Sequence, residues 1–544
     1  MTEHARNGGD VVVETLIALG ISHVFGIPGQ HALGLFDAIG RSDLTFVSSR
    51  VENNSAFEAD GYTRATGQVG ALFLSTGPGA LTALGALQEA YATGVPLLVI
   101  TSQVPRAGLG QRKGMLHQLD DQQRSALNVT KSTAVVREAA EIPSLLADAW
   151  ALAQSAPAGP TWVEIPEDVL LGATHVPQVT TVVAHIAARP PRPELIDAAA
   201  TLLNDAERPV ILAGGGVRRS PGGPEALRVL AERLDAPVVS TVGGKGAIRF
   251  DHPLSAASWI EDRYTTELLE QADTLLAVGT SFGEVTSNYF TFRPQGRIIQ
   301  IDAEPRVLEA NHPALSIHAD AAPALHALAK AVTSREPVRG AAVAAELRKT
   351  VHRRISAQDL DVELNLMRDL RTAVPTAAHT FWDMTIAGYW AWSAWDPRDG
   401  EFHSAQGAGG LGFAYPAALG AAIGSGTRTL AVSGDGGAMY SIAELATARQ
   451  HNANTTWLII DDGGYGILRE YMTSAFGQAT ATELARPDFA ALAQSFGVPA
   501  CRATPDDVGD IIAATFTTEG PAVVVLSAVL RMFAATHSDS SGGI

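Results

Sequence analysis

Thr429-Leu-Ala-Val-Ser433 runs directly into Gly434-Asp435-Gly436-Gly437-Ala438. The first five residues are short and mostly apolar, as a strand buried on both faces requires, and glycine follows at once. The arrangement recurs. Thr456-Trp-Leu-Ile-Ile460 runs into Asp461-Asp462-Gly463-Gly464-Tyr465-Gly466, with residues 437–460 separating Gly436 from Asp461. That spacing allows one helix and a return strand, so the two runs read as adjacent parallel strands. Working outward, Ala71-Leu-Phe-Leu-Ser75, Pro96-Leu-Leu-Val-Ile-Thr101, Pro209-Val-Ile-Leu-Ala213 and Thr274-Leu-Leu-Ala-Val-Gly279 have the same character. Each precedes a turn and then a helical pattern, which predicts an α/β protein of parallel sheets covered on both faces.

Proline clusters mark the domain edges. Gly172-Ala-Thr-His-Val-Pro-Gln178 and Arg189-Pro-Pro-Arg-Pro193 form one, and Ser334-Arg-Glu-Pro-Val-Arg-Gly340 the other. They divide the chain into three doubly wound parallel-sheet domains over 1–175, 190–335 and 355–532, with a tail over 533–544 that is expected to be mobile from Ser538 to Ile544.

The chemistry starts at the two glycine loops. Glycines let backbone approach a phosphate closely, and a following helix turns its first amides toward an anion. An aspartate among them can ligate a divalent cation that bridges to the phosphates. By itself Gly-Asp-Gly is more often a plain turn. Two such loops on neighbouring strands would meet in the crevice at the strand ends, where α/β proteins bind ligands. Magnesium takes about six oxygens, which two carboxylates, a loop carbonyl, two phosphate oxygens and a water would supply.

Gly-Asp-Gly, the spacing and the second motif together resemble the thiamine-diphosphate enzymes. The resemblance makes Asp435 and Asp462 side-chain ligands of Mg2+ and Gly464 a carbonyl ligand. Where the family usually has Asn-Asn or Asn-Asp, this chain has Asp461-Asp462, and either side chain offers a suitable oxygen. Val24-Phe-Gly-Ile-Pro-Gly29 is similar to the first loop of the family's pyrimidine-binding domain, and Arg50–Gly67 resembles its catalytic-glutamate helix. Ser75-Thr-Gly-Pro-Gly79 and Thr101-Ser-Gln103 resemble two further loops. Glu52 is then the carboxylate that bonds the aminopyrimidine ring and promotes proton removal from the thiazolium carbon; read alone, it is a solvated helix charge. A third segment, Gly407-Ala-Gly-Gly-Leu411-Gly-Phe-Ala-Tyr-Pro, resembles the one whose apolar side chain props the bent cofactor, here Leu411. The cofactor-binding set implied is Glu52, Gly410, Leu411, Gly434, Asp435, Gly436, Gly437, Ala438, Asp462, Gly464, Tyr465, Gly466 and Ile467. The three domains become pyrimidine-binding, central Rossmann-like and diphosphate-binding, with active sites at the interface of a homodimer or homotetramer.

The substrate implied is a small 2-oxo acid. Pyruvate-decarboxylase-like members carry a glutamate where Leu468 stands, and biosynthetic acetolactate synthases carry Gln-Trp where Glu470-Tyr471 stands. Benzoylformate decarboxylase has a histidine at the place of Ser75. Gly26–His31 and Gly114–Gln122 are most similar to the acetolactate-synthase-like branch that includes 5-guanidino-2-oxopentanoate decarboxylases. The expectation is a 2-oxo acid decarboxylase for a guanidino or aryl substrate, with an acetolactate-synthase-type carboligase or a silent cofactor-binding homologue as alternatives. His31 and His117 are candidate catalytic or substrate contacts, or else structural histidines. Trp382, Trp390, Trp392 and Trp395 line the pocket or fill the core, and Asp120, Asp121 and Glu470 are further polar candidates. Ile211–Gly216 and Ile299–Asp302 hint at a nucleotide loop, but the glycine spacing lacks the dinucleotide fingerprint, so they read as structural.

Composition narrows the setting. The formal charge is −18, which repels nucleic acid and anionic membrane. The chain's one cysteine, Cys501, forms no internal disulfide, and no signal peptide is visible, so a cytoplasmic protein is expected.

Overall fold

The computed structural model describes residues 5–186 and 189–534. Among them lie three sheets, each parallel throughout. The first has the strand order Thr45–Ser48, His23–Gly26, Gly70–Leu74, Leu97–Gln103, Thr161–Pro166, Thr133–Val135. The second runs Leu315–His318, Arg297–Asp302, Thr274–Val278, Pro209–Ala213, Val238–Ser240. The third runs Glu401–Ser404, His379–Trp382, Thr429–Gly434, Thr455–Asp461, Ala522–Ser527, Ala500–Ala503. In chain order within each domain, the first and third sheets share one topology. Both reverse direction between their first and third strands, the switch point where such sheets open a crevice.

The apolar runs are strands because both faces are covered. Leu97–Gln103 and Pro209–Ala213 are buried at every residue. The cores do not stop at domain borders, however. One cluster joins Val210 and Leu275 of the second sheet to Trp382, Leu430 and Leu458 of the third through Leu347, Val351 and Ile355. Those three lie on the charged helix Gly340–Ser356, so the expected linker is a strut. Asp235 Oδ2 ties its start by accepting from the amides of Val338, Arg339 and Gly340. At the other end, Phe533, assigned from sequence to the tail, is buried against Trp390 and Trp259, so the packed chain extends past 532. The segment Ser538–Ile544 lies outside the described residues.

A second shared core joins the first and third domains. Helix Glu52–Thr66 crosses helix Ala414–Ser425, whose residues Ala414–Ala422 are all buried. Small residues let the backbones meet: a Cβ on Gly61 would stand 1.8 Å from Ala417 O, and one on Gly420 would stand 1.8 Å from Glu58 O. Neither carbonyl is a flexible side-chain tip that could move away. Gly61→Val is therefore expected to cost about 2 kcal/mol or more through overpacking. A denaturant titration should show a lower midpoint, and an unchanged midpoint would mean that the helices do not cross there.

Candidate active site

Three neighbouring strands of the third sheet end side by side: His379–Trp382, Thr429–Gly434 and Thr455–Asp461. Their C-terminal loops surround a cleft of about 500 Å³. It is lined by Gly434, Gly436, Gly437, Gly464 and Gly466 with Asp462, and by the apolar Met384, Leu411, Ile467, Leu468 and Leu530 with Tyr471. Tyr465 also lines it. Asp435 stands behind this surface, 1% exposed. Its Oδ1 accepts from Gly436 N at 2.7 Å and its Oδ2 from Gly463 N at 3.0 Å, so one carboxylate joins both loops. Of the other expected contacts, Gly410 faces Phe57 and Ala438 is buried, so neither lines the cleft.

The glycines here are required by close approach. A Cβ on Gly466 would lie 1.9 Å from Asp462 Oδ2, and one on Gly436 would lie 2.6 Å from the Tyr465 ring. Helix Gly466–Phe476 begins at this point with no side-chain cap, leaving its first amides available to an anion. Burial, and then the neighbouring charge of Asp462, push the Asp435 carboxyl up to about 6. Burial likewise raises Asp462, opposed by Arg469. Arg486 pairs with Asp461 at 2.5 Å. Two arginines thus offset the acidic pair that replaces the family's amides.

The first sheet carries a second group of polar residues at its own switch point. His31 is 5% exposed, and its Nδ1 lies 3.1 Å from Glu167 Oε2. The His31 and His117 rings meet edge to face, with centroids 5.4 Å apart. His117 holds a left-handed φ of 61°, a strained conformation for a non-glycine residue. Ser75 packs against Gly29, and Glu52 stands beside Gly79, where an added Cβ would lie 3.3 Å from Glu52 Oε1. His31 Nε2, His117 Nδ1 and Ser75 Oγ are buried atoms without a hydrogen-bond partner among the described residues. Buried polar atoms in that condition point to an absent partner. No residue of the first domain lines the cleft of the third.

Three thiamine pyrophosphate enzyme models match the chain: the N-terminal TPP binding domain over 6–125, the central domain over 196–328 and the C-terminal TPP binding domain over 383–526. A probable 2-ketoarginine decarboxylase of Pseudomonas aeruginosa is 33% identical, over 90% of this chain and 88% of its own length. This chain belongs to the thiamine pyrophosphate enzyme family. Two further relatives are a probable acetolactate synthase large subunit of Methanocaldococcus jannaschii and the acetolactate synthase isozyme 1 large subunit of Escherichia coli. The first is 30% identical over 92% of this chain and 88% of its own length; the second is 29% identical over 92% and 90%.

The cleft fits thiamine pyrophosphate. Its glycines offer amides and close backbone to a diphosphate, and its apolar residues offer surface to the rings. Asp435 and Asp462 could hold a divalent cation there. No group of three or more His, Cys, Asp or Glu is placed to hold a metal among the described residues. Magnesium bound by one or two carboxylates with phosphates and waters needs no such cage.

Other expectations change. Trp382, Trp390, Trp392 and Trp395 are at most 3% exposed and fill the core. Asp120 pairs with Arg112 on the surface, Asp121 caps helix Gln122–Ala126, and Glu470 accepts from Met532 N. Sequence reasoning missed two buried carboxyls of this thiamine pyrophosphate enzyme. Asp383 accepts from Ala414 N at 2.8 Å, and burial raises it to about 6. Glu89, from the first domain, accepts from Gly407 N and Ala408 N at 3.0 and 2.7 Å, and burial raises it to about 7. Together they anchor the two sides of the Leu411 segment. The signal available for Asp383 was its place directly after the strand that adjoins the Gly434 loop.

Gly466→Ala should displace Asp462 without disturbing the core. Titrating magnesium against cofactor binding is expected to show a half-saturation concentration raised at least about tenfold, the usual scale for disturbing a metal site. A variant that binds both as the parent does would show Asp462 to be uninvolved.

Among the described residues no helix is long and apolar enough to cross a membrane.

Proposed function

We propose that the enzyme carries out thiamine-diphosphate- and Mg2+-dependent decarboxylation of a 2-oxo acid larger than pyruvate, specifically a 5-guanidino-2-oxo acid. The observation that carries this is the wall of the cleft: Leu468 and Tyr471 line it, with no acid at Leu468. The likeness to the probable 2-ketoarginine decarboxylase supports the guanidino tail. When bound, the cofactor supplies a nucleophilic carbon and an electron sink next to the 2-oxo group. Asp435, Asp462 and the Gly464 carbonyl hold the magnesium, and Leu411 supports the cofactor rings. The bond between the carboxylate carbon and the 2-oxo carbon breaks, carbon dioxide leaves, and a proton takes its place to give the aldehyde.

Glu52, in this proposal, exchanges a proton with the cofactor's pyrimidine ring. Glu52 lies outside the cleft of its own chain, which favours a homodimer whose two sites each combine Glu52 of one copy with Asp435 of the other. His31, His117 and Ser75 then face the substrate side. Glu167 accepts from His31 Nδ1–H, which fixes the orientation of the ring.

Glu52→Gln should fold and bind cofactor but lose turnover at least about a hundredfold, the scale for removing a general acid or base. Mixed dimers pairing Glu52→Gln with Asp435→Ala subunits should regain activity, because one of their two sites is whole. Verified heterodimers that stay inactive would place both residues in one subunit's site.

Substrate choice is tested by carbon dioxide release and product analysis over a panel of 2-oxo acids with cofactor and magnesium supplied. The kcat/KM for 5-guanidino-2-oxopentanoate should exceed that for pyruvate at least about tenfold, as expected when remote contacts orient the substrate. Preference for pyruvate, with acetolactate as product, would instead establish the carboligase reading that the acetolactate synthase relatives support.

A further inference from the structure

The loop Ser75–Gly79 follows strand Gly70–Leu74 and stands among the polar groups of the first domain. An added Cβ on Gly77 would lie 2.4 Å from His117 O, and one on Gly79 would lie 3.3 Å from Glu52 Oε1. What fixes this loop lies behind it. Thr76 N donates to Ser102 Oγ at 3.0 Å. Thr76 Oγ1 donates to Gln122 Oε1 at 2.6 Å, and Gly77 N donates to the same oxygen at 2.9 Å. Gly77 holds a left-handed φ of 68°, so the loop turns sharply at the point where one amide oxygen grips it.

Gln122 is itself held from behind by a buried acid. Its Nε2 donates to Glu164 Oε1 at 3.2 Å and to Ser102 O at 3.3 Å. Trp162 Nε1 donates to Glu164 Oε1 at 2.9 Å, and Gln103 Nε2 donates to Glu164 Oε2 at 3.0 Å. Gln103 Oε1 accepts from Val104 N at 2.8 Å and from Thr76 Oγ1 at 3.4 Å. Trp162 and Glu164 are two residues apart on strand Thr161–Pro166, so they share a face. Glu164 is 1% exposed and Gln122 2%. Burial raises the Glu164 carboxyl, and the bonds from Trp162, Gln103 and Gln122 oppose that rise.

A carboxylate only accepts, so both glutamines must turn their NH2 groups toward Glu164 and their oxygens toward the loop. Two amides that could each point either way are thereby set. Glutamine at position 164 could not do this. Three N–H donors would meet one oxygen and one NH2, and at least one donor would be opposed. Gln103 and Gln122 both reach Thr76, so the mismatch arrives at the loop whichever is affected. A buried acid is costly, and apolar residues of similar volume would pack the same space as well. An acid used here to orient amides behind one loop points to a role in that loop's geometry.

We propose that Glu164 is a positioning residue for the reaction: through Gln122 it holds the Ser75–Gly79 loop, and with it the surroundings of Glu52 and His117, in the geometry that turnover needs. This rests on the reading of Glu52 as the acid that exchanges a proton with the cofactor. It does not depend on which 2-oxo acid is the substrate. Glu164 touches neither cofactor nor substrate in this scheme. It acts by keeping one oxygen of Gln122 aimed at Thr76 and Gly77, so the loop keeps a single conformation beside Glu52.

The test is steady-state kinetics of the holoenzyme with 5-guanidino-2-oxopentanoate, or with pyruvate if the parent prefers it. Glu164→Gln keeps the shape of the side chain and removes one acceptor. Its kcat is expected to fall at least about tenfold, the scale of a small misplacement of reacting groups, while KM stays within about twofold of the parent's. Half-saturation by the cofactor should stay within the same about twofold range. Thr76→Val removes the hydroxyl at the loop end of the network and should lower kcat about threefold, the scale of one neutral hydrogen bond. Thermal unfolding verifies that each variant is folded, and the Thr76 variant decides alone if Glu164→Gln does not fold. A folded variant with the parent's kcat overturns the proposal. A loss confined to KM and cofactor affinity would make the network a packing element and overturn it as well. If Glu52→Gln turns over as fast as the parent, the reading of Glu52 fails and takes this inference with it. If Glu52→Gln is inactive while Glu164→Gln matches the parent, this inference fails alone.

Discussion

The crossing of helices Glu52–Thr66 and Ala414–Ser425 is the contact on which the rest of the molecule depends. Backbone touches backbone at Gly61 and Gly420, leaving room for no side chain at either place. The crossing is also polar. Glu58 is fully buried within it, accepting from Ser49 Oγ, and lies close to the buried Glu444, which accepts from Arg50 N and Asn54 Nδ2. Burial and the Glu444 charge raise Glu58 well above the ordinary carboxyl range. Two carboxyls share a buried space only if a proton or several donors accompany them. The crossing thus sets the register between first and third domains through shape and hydrogen bonding together.

From that register the cleft inherits its form. The segment before helix Ala414–Ser425 carries Leu411, and it is held on one side by Glu89 and on the other by Asp383. Helix Glu52–Thr66 starts at Glu52, so the crossing that places Leu411 also places the acid of the first domain. The same helix pair therefore orients a cofactor-supporting side chain and a proton-transfer candidate that face different sites. In the proposed homodimer a second copy of the chain reconciles the two, since each copy offers what the other lacks.

Charge in the cleft is arranged with similar economy. Asp435 bridges both loops and is almost wholly buried, while Asp461 and Asp462 sit toward Arg486 and Arg469. A buried acid cluster without counter-ions would destabilise the fold. Part of the compensation comes from the arginines, and in the proposed function the rest comes from the magnesium.

The amino-acid sequence by itself determined the sheets, the loops and the cofactor. Parallel strands buried on both faces need unbroken apolar runs, and phosphate-approaching loops need glycine, so both leave marks within a few residues. Gly434–Gly437 and Asp462–Gly466 were legible for that reason. Tertiary structure alone decided what surrounds each side chain. Trp382, Trp390, Trp392 and Trp395 cluster in sequence yet fill the core, because the third sheet and helix Gly340–Ser356 close over them. Asp120, Asp121 and Glu470 are spent on local bonds. Glu89 and the Leu411 segment come together from different domains, and no local pattern records that meeting. A backbone constraint is written in neighbouring residues, whereas a side chain's partners depend on how distant segments pack.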